Sequence, residues 1–165
     1  MAGLTNLETK LGEVTGLAMA AQAATEKVLV LAEDDDEDVL VTKLRQMHDE
    51  AAETEKRCTD LAATFEGKKT AILDEARTTK SKGAEMMKTY LDSDSDALDG
   101  FEFLTMAEAG EVGHWSVLQA MNRDADHGDV KNLVKWALPI QQRHLKEVMD
   151  ASVELAKSED PNEPV

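Results

Sequence analysis

Glu111-x-x-His114 and Gln141-x-x-His144 repeat one spacing in two apolar settings. Residues three apart on a helix point the same way, so a carboxylate oxygen and an imidazole nitrogen can meet on one ion. Each pair breaks a seam whose positions advance by threes and fours. Leu104, Ala107, Leu118 and Met121 surround the first pair, and Val134, Ala137, Val148 and Ala151 surround the second. A carboxylate buried there without a partner is costly, and a divalent metal or a protonated histidine offsets that cost. The chemistry on offer is metal coordination. The plainer reading of Gln141 and His144 is a hydrogen-bonded core pair.

Two helices must carry these pairs, and the periodicity yields five. The first opens on a capping box, Thr5 with Glu8, and continues through Leu11, Val14, Ala18, Ala21 and Val28 to an acidic run at 33–37. The second carries Leu40, Leu44, Met47, Ala51, Thr54, Cys58, Leu61 and Phe65, with Gly67 as its stop. A shorter, more polar third helix runs from Ile72 to Tyr90. The acidic loop 92–96 then caps a fourth, from about Ala97 to Arg123, and the fifth follows the loop at 124–128. Four of these helices reach roughly 27–31 residues, about 40–45 Å. Long helices joined by short loops pack with antiparallel neighbours, so the third bridges or caps the bundle.

The midpoints of the fourth and fifth helices put both polar pairs at one level. The second helix places His48 and Glu55 a turn either side of that level. Glu108, one turn before Glu111, lies off the seam and reads as a surface residue, with a third ligand as the alternative. Pro139 is expected to kink the fifth helix one turn before His144. His127 reads as a turn residue.

This architecture and the Glu-x-x-His pattern resemble the ferritin-like superfamily of di-iron carboxylate proteins. The order of two long helices, a shorter connecting one and two more is nearest to its small bacterial stress-associated members. Glu53-Thr54 leading into Leu61 and Phe65 is similar to a segment of that group. The resemblance implies an all-α antiparallel four-helix bundle with an extra shorter helix between the second and third long helices. It implies a divalent metal (iron, manganese or zinc) held among Glu111, His114, His144, Gln141, His48, Glu55 and Glu108, with oxygen or peroxide chemistry in stress protection. The departures are specific. Gln141 stands where the last motif has Glu, Arg45 precedes His48 by three, and the first helix brings Thr15, Ala18, Ala21 and Gln22 to the central level. They favour a single-metal site, or a metal-free polar core in a scaffold or partner-binding protein.

Composition bounds the remainder. A net charge of −16 repels phosphate backbones and anionic lipid, which argues against nucleic acid and membrane surfaces as partners and favours cations. The same charge serves solubility. Aromatics at 4% and only 3 prolines leave little material for an all-β fold. The single cysteine, Cys58, reads as a small buried hydrophobe and excludes a thiolate cluster. Charged residues Glu8, Lys10 and Glu13 interrupt the first apolar stretch, so neither a signal peptide nor a membrane span is expected, and the setting is cytoplasmic. Residues 1–157 are read as the bundle and 158–165 as a disordered acidic tail. Apolar residues lie on several faces of the fourth helix, Phe101, Met106, Val112, Trp115 and Val117 among them. The third helix, or a second copy in a homodimer, would cover them.

Overall fold

A computed structural model describes residues 3–164. The described chain is all-helical: α1 (Asn6–Asp34), α2 (Asp38–Ala62), α3 (Lys69–Tyr90), α4 (Ala97–Ala125) and α5 (Gly128–Ala156). Local chemistry sets the starts. The Thr5 N–H donates to Glu8 at 2.7 Å while the Glu8 N–H donates to Thr5 Oγ1 at 3.2 Å, a reciprocal cap. Asp96 and Asp99 build the same box for α4. His127 is more than a turn residue: its Nδ1 accepts from the Val130 N–H and caps α5, while its ring stacks on Phe65 at 4.9 Å. The second helix stops at Ala62, short of the expected Phe65, and Gly67 takes a φ of 70° in the turn that follows. The fifth continues through Pro139 as one helix.

Paired side chains give the directions. His48 meets Glu26 and Glu55 meets Gln22, so α2 runs antiparallel to α1. The Asp35 carboxylate accepts from the Ala97 N–H and Glu13 meets His114, so α4 is also antiparallel to α1. Likewise α5 runs antiparallel to α4, through Thr105 with Ser152 and Glu108 beside His144, and to α2, through Glu50 with Arg143 and Arg57 over the Trp136 ring. The shorter helix does not cap the bundle end. It lies along α1 and parallel to it, touching α2 and α4 only slightly. Gly12 and Gly16 make this approach possible: a Cβ on Gly16 would stand 2.2 Å from the Ala76 carbonyl oxygen.

The apolar interior is divided. One cluster gathers Leu11, Val14, Cys58, Ile72, Trp115 and Val134, the other Val28, Leu44, Met47, Phe101, Leu104 and Val148. Cys58 is fully buried, which pushes its thiol up to about 12. Between the clusters, α4 and α5 bury four polar side chains, Glu108, Glu111, Gln141 and His144. By length and composition α1 is apolar enough to cross a membrane, and in the fold it packs against α2, α3 and α4. After Ala156 the chain continues as exposed turns to Pro164, and Val165 of the expected tail lies outside the described residues.

Candidate functional site

The buried stripe of α4 is Phe101, Leu104, Glu108, Glu111, Trp115, Leu118 and Asn122. It shares Leu104, Glu111 and Leu118 with the expected seam but is rotated at every other step. Ala107 gives way to Glu108, His114 to Trp115, and Met121 to Asn122. The reason lies in Trp115, which is 0% exposed. Burying an indole outweighs burying an imidazole, and turning Trp115 inward carries Glu108, a full heptad earlier, with it. Glu108 is therefore no surface residue; it is 2% exposed.

The α5 seam faces these carboxyls as expected from the sequence. The end of the Gln141 amide lies 3.0 Å from Glu108 Oε2 and 3.1 Å from Glu111 Oε2, and with its nitrogen turned toward them it donates to both. His144 holds Nδ1 3.7 Å from Glu108 Oε2, beyond hydrogen-bond length, and Nε2 2.5 Å from Glu50 Oε2. Arg143 reaches both oxygens of Glu50 at 2.7 Å. An amide thus joins two acids, and an imidazole joins a third to the same layer.

Burial dominates the electrostatics. It raises the Glu111 carboxyl to about 8, and it lifts Glu108 well above the ordinary value with help from neighbouring Glu111. At about 8, Glu111 keeps its proton at neutral pH, and burial favours the neutral form of Glu108 as well. Burial also lowers His144, although Glu50 pulls the other way. Glu50 is pushed up by burial, but bonds from His144, Gln46 and Arg143 outweigh that and hold it below its ordinary value.

The remaining candidates lie elsewhere. His114 is not paired with Glu111 at the centre. It is half-exposed, with Nδ1 3.1 Å from Glu13 Oε2 and 3.2 Å from Lys10 Nζ. His48 bonds Glu26 of α1 at 3.0 Å near the surface, and Glu55 accepts from Gln22 at 2.5 Å. Both occupy the flank of α2 that faces α1. Glu50, on the opposite flank, is the residue that reaches the site, and sequence reading passed over it. The signal was present: Glu50 is the midpoint of α2 and lies on the same face as Gln46, Glu53 and Arg57.

A groove of about 360 Å³ between α1, α3 and α4 opens onto the acid pair. Its walls are mostly apolar, Leu17, Ala20, Ala24, Met87 and Leu104 among them, and Glu13, Glu108, Glu111 and His114 also line it. The groove exists because α1 presents alanines at this level and α3 barely touches α4.

The dinuclear ligand set implied by the resemblance is not assembled. No carboxylate of α1 joins the layer, His48, Glu55 and His114 are bonded elsewhere, and Glu50 takes His144 Nε2. Among the described residues no group of three or more His, Cys, Asp or Glu is arranged to hold a metal ion.

No family model, curated protein or solved structure matches this chain.

Proposed function

We propose that this protein is a ferritin-like bundle whose centre has become a hydrogen-bonded polar core, and that it binds a small molecule in the groove between α1, α3 and α4. The connectivity supports the ferritin-like part. Helices α1, α2, α5 and α4 pack in that cyclic order, each antiparallel to its neighbours, and α3 supplies the one long crossover such folds use. One observation carries the binding part. Two nearly fully buried carboxyls, joined through Gln141, open onto an apolar groove of ligand size.

Ala107→Phe, which places a ring in the groove and leaves both acids in the sequence, tests the reading with the neutral dye Nile red. Fluorescence enhancement in the wild type, abolished in a folded Ala107→Phe variant, supports a binding groove. Equal enhancement in both proteins places the dye elsewhere and ends the reading.

A bound divalent metal is the second reading, favoured by His144 alone. A metal-bound histidine commonly gives its other nitrogen to a carboxylate, as His144 does to Glu50. Elemental analysis of protein expressed with iron, manganese and zinc decides it. About one metal per chain, lost in His144→Ala, would replace the polar-core reading.

A further inference from the structure

We infer that the groove takes an amphiphilic organic ammonium ion, its cationic head beside Glu108 and Glu111 and its alkyl chain along the apolar walls of α1 and α3. This rests on the small-molecule reading above and names the ligand's chemistry.

The head follows from what surrounds the two acids. Glu108 and Glu111 are 2% and 3% exposed, and no lysine or arginine among the described residues pairs with either. Their charged neighbours are accounted for on every side. From α1, Glu13 is engaged by Lys10 and His114. From α5, His144 faces Glu108 but is held by Glu50 of α2, which Arg143 also engages. From α3, Lys80 and Lys82 line the groove at exposed positions. The site is thus rich in carboxyl and lacks a buried cation.

Rival heads fit less well. A carboxylate would meet Glu13, Glu108 and Glu111. An alcohol can hydrogen-bond the neutral acids but brings no charge to favour their ionised form. A bare metal ion makes no use of Leu17, Ala20, Ala24 and Met87. An ammonium with an aliphatic chain satisfies both halves of the cavity.

This chemistry has a proton signature. Glu111 carries its proton below about pH 8, so an arriving ammonium favours the carboxylate and a proton leaves. Affinity should therefore climb as pH rises toward 8, by up to about tenfold per pH unit for one coupled proton.

Isothermal titration with n-octylammonium, n-octanol, octanoate and zinc chloride, at pH 7 in two buffers of different ionisation enthalpy, tests it. The full chain is compared with Glu108→Gln/Glu111→Gln, which keeps side-chain size, and with the groove-filling Ala107→Phe. Folding of each variant is checked by circular dichroism. The expected result is n-octylammonium binding with proton release, weakened at least about tenfold by the double variant and abolished by Ala107→Phe. Octanol or octanoate binding as tightly as the amine overturns the ammonium assignment and leaves the groove reading standing. No organic probe binding, with Nile red also indifferent to Ala107→Phe, overturns both. Zinc alone binding with proton release overturns both in favour of a metal centre.

Discussion

Glu50 of α2 reaches across to α5 and sets its Oε2 2.5 Å from Nε2 of His144. This contact fastens the second helix to the fifth at the level of the buried acids, where α2 and α5 otherwise share few contacts. Removing Glu50 leaves an imidazole that is 2% exposed without its partner. Glu50→Ala should lower unfolding free energy by about 2–3 kcal/mol. Glu50→Gln keeps an acceptor for the His144 N–H and should recover roughly half of that. Urea unfolding of the two variants checks it, and equal losses would show that charge alone matters.

The same pair sets the acid limb of stability. His144 titrates below its ordinary 6.5, and Glu50 below its ordinary 4.5. Each lowered group binds fewer protons folded than unfolded, so stability falls as pH drops below about 6.5 and again below about 4.5. Melting curves from pH 7 to pH 4 should show the decline in the Glu108→Gln/Glu111→Gln background, where the opposing titration of the buried acids is removed. His144→Asn, which removes the upper titration, should delay its onset.

The buried acids act in the opposite direction. Glu111 is raised from 4.5 to about 8, so the folded chain holds a proton that the unfolded chain has released. Stability from this group is complete below 4.5 and declines as pH rises toward about 8, at up to about 1.4 kcal/mol per pH unit. Glu111→Gln should flatten the profile between pH 5 and pH 8 and raise the melting temperature at the alkaline end. An unchanged slope would mean that Glu111 is ionised in the fold.

Seam and flank assignments differ in how far the sequence reveals them. On α5 the contrast between apolar and polar residues is sharp, so Val134, Ala137, Gln141, His144 and Val148 could be read as one face. On α4 apolar residues surround the helix because it faces α1, α5 and the groove. Periodicity there admits neighbouring stripes, and choosing the one with His114 left Trp115 off the central seam and Glu108 on the surface. Weighing the burial of the indole first would have selected the stripe found. On α2 the seam was legible but its flanks were not. Which flank meets α5 depends on how the helices are arranged, and this is why His48 and Glu55 were favoured over Glu50. The lie of α3 along α1 depends on Gly12 and Gly16, which matter only once another backbone is placed against them.

That rotation of α4 makes His114 and His144 a direct comparison. His114 is 40% exposed in its side chain and bonded to an α1 carboxylate, whereas His144 is 2% exposed between two. His114→Ala should change stability by less than about 0.5 kcal/mol. His144→Ala should cost about 2–4 kcal/mol through lost packing and an uncompensated Glu50. Similar costs for the two would restore His114 to the core.

Gly16 tests the mounting of the groove wall. A Cβ there would stand 2.2 Å from the Ala76 carbonyl oxygen and 2.6 Å from Thr79 Cβ. A backbone oxygen cannot rotate away as a flexible side chain would, so Gly16→Ala must push α3 off α1. The alanine gains helix propensity of about 1 kcal/mol within α1. The forced separation of two packed helices should cost about 1–3 kcal/mol, and the clash is with backbone, so the loss prevails. Because α3 hardly touches α2 or α4, the damage should stay local. Hydrogen exchange should quicken across Lys69–Tyr90 while α4 and α5 keep their protection. Exchange that quickens uniformly would show that α3 is an integral part of the cooperative core, and that the groove wall cannot loosen by itself.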